Sequence, residues 1–80
     1  RESGTGFSDI LIEIDDSDIG IVIEVKYSDD ENQLESDCRE ALKQIKDRDY
    51  PQKLRNAGFH KILKYGIACQ IKKCKVMVET

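Results

Sequence analysis

Hydrophobic and polar positions fall into a small number of distinct patterns along this chain. Ser8–Ile14 and Gly20–Lys26 are rich in Ile, Leu and Val, and Asp15-Asp16-Ser17-Asp18 between them is turn chemistry, so the pair predicts a β-hairpin. If the loop closes with Ile14 opposite Ile19, paired residue numbers sum to 33, which sets Asp9 against Glu24. Period then changes from two to 3.6: Leu34, Cys38, Ala41, Leu42 and Ile45 share one face of a helix over 31–47, with Asp30 and Gln33 placed to cap its start. Pro51 suits the first turn of a short second helix reaching Asn56, and Gly58 suits its left-handed exit. Ile62–Ile71 and Cys74–Val78 alternate as two further strands, in which the small Gly66 and Ala68 either admit a helix closely or mark a bend. A hairpin, a helical crossover and two returning strands make an α/β domain with a mixed β-sheet and flanking helices.

The candidate chemistry lies in the hairpin. Glu24 and Lys26 share a face while Val25 points away, and Asp9 joins them from the neighbouring strand. Two carboxylates opposed across a ladder repel unless a cation sits between them. Hard oxygen ligands of this kind suit Mg²⁺ or Mn²⁺, with the Val25 carbonyl as a further ligand and the Lys26 ammonium positioned to hold an attacking water. The competing reading is a solvated Glu–Lys ion pair with Asp9 merely starting a strand; against it, the two charges follow Ile21-Val22-Ile23, a run expected to be buried on both faces. Gln44 falls at the edge of the helix stripe, where it can turn toward the site or remain a surface polar group.

Four segments in order carry a resemblance: Gly6-Phe7-Ser8-Asp9-Ile10-Leu11-Ile12, Ile21-Val22-Ile23-Glu24-Val25-Lys26, Ala41-Leu42-Lys43-Gln44-Ile45 and Lys64-Tyr65-Gly66-Ile67-Ala68. Together they resemble the PD-(D/E)XK nuclease superfamily, and within it the C-terminal nuclease-like domain of bacterial and archaeal AAA-ATPase-like proteins. The resemblance implies a restriction-endonuclease-like fold, metal binding by Asp9 and Glu24, service of the water nucleophile by Lys26, and a helix glutamine at Gln44. Tyr50 fills the place of that branch's tyrosine, although the spacing from Gln44 departs from the usual Gln-x-x-x-Tyr. Ser8 stands where the family name has proline. The fold ordinarily begins with a helix upstream of the first strand, and Arg1-Glu2-Ser3 leaves no room for it, so the 1–80 unit is expected to be a single domain cut from a larger chain.

Composition narrows the function classes. With 36% charged and 39% hydrophobic residues among 80, the chain is that of a globular domain, one small enough to profit from a partner such as a second copy of itself. No apolar run spans a membrane and no signal-peptide pattern opens the chain, so the location expected by default is cytoplasmic. A net charge of −3 disfavours a general nucleic-acid binder, yet acidic residues crowd Asp15–Asp37 and lysines dominate the second half, where a basic surface for DNA could form. Cys38, Cys69 and Cys74 include no Cys-x-x-Cys pair and are expected as reduced thiols; His60 has no second ligand at useful spacing. The expectation is therefore a metal-dependent deoxyribonuclease, with an AAA-ATPase-like domain as its neighbour in the full chain. The alternative is an inactive nuclease-fold module used for docking, regulation or DNA binding.

Overall fold

A computed structural model describes residues 7–14 and 16–80; Gly6 of the first motif and Asp15 of the predicted turn lie outside the described residues, as does anything upstream of the first strand. Strands β1 (Phe7–Glu13) and β2 (Ile19–Tyr27) form the expected hairpin, and Ile14 N–H donates to the Ile19 carbonyl at 3.3 Å. Ser17 secures the turn: its hydroxyl donates to the Ile14 carbonyl and accepts from Ile19 N–H, both at 3.1 Å. A single 3₁₀ turn, Glu31–Gln33, leads into helix α1 (Leu34–Asp47), and the Asp30 carboxylate caps that turn by accepting from Asn32 N–H at 2.9 Å. Helix α2 (Tyr50–Asn56) follows after two residues, and strands β3 (Lys61–Gln70) and β4 (Lys73–Glu79) complete the chain.

The sheet order is β1-β2-β3-β4, with β2 and β3 parallel and both outer pairs antiparallel. The parallel step needs a crossover, which α1 and α2 supply. Both helices pack on one face of the sheet, where Gly20, Val22 and Glu24 of β2 and Ile62, Gly66 and Ala68 of β3 are buried. Gly66 is where α1 comes closest: a Cβ there would lie 2.5 Å from the Cys38 carbonyl oxygen, so the small residue admits a helix and does not mark a bend. Val22, Ile45, Leu54 and Ile62 form the centre of the core, with Leu42, Tyr50 and Phe59 packed against them, and Cys38, Ala41 and Ala68 are also buried.

Two expectations are corrected. Ile21-Val22-Ile23 is buried on one face only; Val22 is fully buried, while Ile21 and Ile23 are half-buried on the face that no described helix covers. Cys69 and Cys74 are joined as a disulfide, because the tight turn at Ile71-Lys72 sets them directly opposite each other in the β3–β4 register, a relation that residue spacing alone does not disclose. Cys38 is a free, buried thiol donating to the Lys75 carbonyl. Among the described residues no helix is long and apolar enough to cross a membrane.

Candidate active site

The hairpin register pairs Asp9 with Glu24, as the turn length requires. Strand β1 lies at the sheet edge, and the helix layer packs on β2, β3 and β4, so the pair sits at the rim of that layer. Glu24 is fully buried beneath it, and the Asp9 side chain keeps 15% exposure toward the open edge. Glu24 is the single charged residue buried among those described. Both its oxygens, and Oδ1 of Asp9, are buried without a hydrogen-bond donor.

Cationic and phenolic groups reach the pair from the α1–α2 junction. Arg48 ends α1, and Asp49 takes a left-handed conformation (φ 60°) that turns the chain sharply into α2. Arg48 and Tyr50, on either side of that turn, consequently converge on one oxygen: Arg48 Nη1 donates to Asp9 Oδ2 at 2.5 Å and Tyr50 Oη donates to the same atom at 2.6 Å. Arg48 Nη1 also lies 3.7 Å from Glu24 Oε2. Gln44, one helical turn before Arg48, faces the guanidinium; with its amide oriented by these surroundings, its oxygen accepts from Nη2 at 2.5 Å and from Nε at 3.2 Å.

These contacts divide the titration of the two carboxyls. Burial, reinforced by the hydrogen bond and negative charge of Asp9, pushes Glu24 up to about 8 against the weaker pull of Arg48. For Asp9, burial acts upward but is outweighed by hydrogen bonds from Glu24 and Tyr50 and by the Arg48 guanidinium, leaving it below the usual carboxylate range. The two carboxyls are thus pushed in opposite directions, so the pair resists carrying its second negative charge without a compensating cation. Tyr50 is held above its ordinary value, chiefly by its hydrogen bond to Asp9.

Lys26 follows Glu24 along the same face, and its ammonium lies 3.4 Å from Asp37 Oδ1 on α1, with Ser28 Oγ donating to the other Asp37 oxygen at 2.6 Å. The Glu-x-Lys motif is thus divided between two charge clusters, Asp9–Glu24–Arg48–Tyr50 and Lys26–Asp37–Ser28. Residue reasoning passed over Arg48 and Asp37. For Arg48 there was a signal, an arginine four residues after Gln44 and so on the same side of the helix; for Asp37 there was none beyond its place in the first turn of α1. His60 is bound to Asp18, far along the sheet from the pair.

The comparison with known families decides the matter of kinship. A family model described as the PD-(D/E)XK nuclease superfamily matches residues 1–79. The chain belongs to this superfamily. Searches of the curated proteins and of the solved structures returned no match. The mixed four-stranded sheet with its two helices is the α/β arrangement of a restriction-endonuclease-like PD-(D/E)XK domain. Members of the superfamily generally use divalent metals, so the fit of such an ion to this chain can be tested on its donors. Among the described residues no three His, Cys, Asp or Glu side chains converge. The donor set is instead two carboxylates with three unpartnered buried oxygens, which suits a hard divalent ion that fills its other positions with water and phosphate oxygens.

Solvent-facing grooves lie elsewhere on the PD-(D/E)XK domain, and two of them adjoin the helices. The larger, 580 Å³, runs between α1 and β4 and includes Arg39 and Lys43, but their charges are taken by Glu35 at 2.6 Å and Asp47 at 2.8 Å. The second, 390 Å³, adjoins α2 and gathers Lys46, Arg55 and Lys64 with the acidic Asp49 and Glu79.

Proposed function

We propose that this domain is a metal-dependent nuclease that hydrolyses phosphodiester bonds in DNA with Mg²⁺ or Mn²⁺. The observation that carries the reading is the opposed pair Asp9–Glu24, with Glu24 fully buried, whose three unpartnered oxygens are costly unless a cation uses them. Asp9 and Glu24 would hold the ion, with the Val25 carbonyl as a further ligand. When bound, it supplies an acidified water and a positive charge against the phosphate oxygens. Lys26, on the same face as Glu24 and steadied by Asp37, orients that water for in-line attack. Tyr50 and Gln44 act on the carboxylates from the helix side, the first through Asp9 Oδ2 and the second through Arg48. Lys46 and Arg55 beside α2 are suited to phosphate contacts along the DNA. On this reading the domain is the cutting module of a chain that also carries an AAA-ATPase-like domain, as the motif resemblance suggests.

One observation favours the rival reading, a retired nuclease fold kept for docking: Arg48 already covers Asp9 Oδ2. The test is titration of Mn²⁺ and Mg²⁺ into the parent and into Asp9→Ala/Glu24→Ala, together with nicking of supercoiled DNA. The nuclease reading expects metal binding that the double variant loses, and cleavage that Lys26→Ala lowers by about 10²-fold or more while metal binding persists. Metal binding absent from the parent, or cleavage undiminished in Lys26→Ala, refutes it.

A further inference from the structure

Arg48 occupies a position that the chemistry of the carboxylate pair reserves for a cation. Asp9 and Glu24 face each other on neighbouring strands, Glu24 is fully buried, and whenever both are ionised their mutual repulsion calls for a positive charge. The guanidinium meets it from within the chain, with Nη1 2.5 Å from Asp9 Oδ2 and 3.7 Å from Glu24 Oε2. It is held from behind by the Gln44 amide oxygen, and it remains 28% exposed, so it has space on the solvent side into which to withdraw. Nη1 covers Asp9 Oδ2, while Asp9 Oδ1 and both Glu24 oxygens keep unused acceptor capacity.

We propose that Arg48 is the resident cation of the ion-free site: it holds the two carboxylates together until a divalent ion displaces it, so that arginine and metal compete for the negative charge of one carboxylate pair. The proposal rests on the nuclease reading for the identity of the metal site but concerns binding, and it is tested without cleavage. Two positive groups cannot share so small an anionic gap without strong repulsion, and this makes the exchange mutually exclusive. It also lets the hairpin fold before metal arrives, because the countercharge belongs to the chain. Gln44 is, in this arrangement, a positioning residue that acts through Arg48.

The test compares Mn²⁺ affinity, by calorimetry, in the parent, Arg48→Ala and Gln44→Met. Arg48→Ala is expected to bind at least about tenfold more tightly, since the competing state is removed, and Gln44→Met to move the same way by less. In thermal melts Arg48→Ala is expected to lose stability in chelator and to recover more with saturating Mn²⁺ than the parent gains. A readout in the unaltered chain guards against a variant that folds poorly: addition of Mg²⁺ should shift the Arg48 Nε–Hε resonance as its contact with Asp9 breaks. Equal or weaker Mn²⁺ affinity in Arg48→Ala, or an Arg48 resonance that stays put as Mg²⁺ saturates the parent, overturns the proposal and leaves the nuclease reading standing. A parent that binds neither ion overturns both.

Discussion

The two faces of this one sheet differ more than their sequences do. Val22 and Ile23 are neighbours in β2, yet Val22 is fully buried under α1 and α2 while Ile23 is half-buried on the opposite side. The helix-covered face has no slack: Gly66 lies against the backbone of α1, Gly20 faces Leu54 and Phe59, and the buried Glu24 carboxylate lies in the same row. The other face, with Ile10 and Ile12 of β1 and Val76 of β4 between 38% and 51% exposed, is apolar but open among the described residues. The difference teaches where chemistry can be built. A carboxylate on the open face would be an ordinary solvated charge, whereas under the helix layer it must share a proton, pair with an arginine or bind an ion.

The contrast is sharpest at Gly66. A Cβ there would stand 2.5 Å from the Cys38 carbonyl oxygen and 2.9 Å from Leu42 Cγ, and the first of these is helix backbone that cannot turn aside. Gly66→Ala must lift α1 from the sheet, and the expected loss is about 3 kcal/mol by urea denaturation. A cost below about 0.5 kcal/mol would mean that the covered face is no more tightly packed than an ordinary surface.

Next in size is a pH effect. The Glu24 carboxyl is raised from 4.5 to about 8 in the folded chain, so the folded state binds its proton more tightly than the unfolded state does. Its contribution is complete below pH about 4.5 and is lost as pH rises toward about 8. The neighbouring shifted groups move away from this window: Asp9 downward from 3.8, Cys38 upward from 9.0 and Tyr50 upward from 10.0. In chelator, stability should therefore fall by up to about 3 kcal/mol between pH 5 and pH 8, and Glu24→Gln, which carries its own amide donor, should flatten that slope. A parent whose stability is level or rising across the window would show that Glu24 is ionised at rest.

These two effects also mark what residue patterns disclose. The Asp9–Glu24 pairing could be read from turn chemistry and β-branched runs, because antiparallel register follows once the loop length is known. The approach of α1 to Gly66 could be read from helix periodicity and a small residue on a strand, with bending as the alternative. Arg48 and Asp37 could not be placed in the same way. Arg48 reaches Asp9 across 39 positions through a left-handed turn at Asp49, and Lys26 meets Asp37 only because α1 crosses β2 at one height. The Cys69–Cys74 bond likewise depends on where a two-residue turn falls between β3 and β4. Register within a hairpin is local, whereas the meeting of a helix end with a strand is decided by the packing of the whole layer.

The smallest expected effect belongs to the open face and is the most direct check on its openness. Val76 pairs with Ile67, is 51% exposed, and points away from both helices. Val76→Thr keeps the β-branch and the strand preference while exchanging a methyl for a hydroxyl, so on a solvated face it should change stability by less than about 0.5 kcal/mol. The melting temperature should then be independent of protein concentration in parent and variant alike. A cost above about 1.5 kcal/mol, or a melting temperature that climbs with concentration in the parent and not in the variant, would place Val76 against a partner surface, because only burial makes a hydroxyl that expensive. The two faces would then be equally covered, one by the chain's own helices and the other by a second copy, and the buried carboxylate would lie between two closed layers with the β1 edge as its approach.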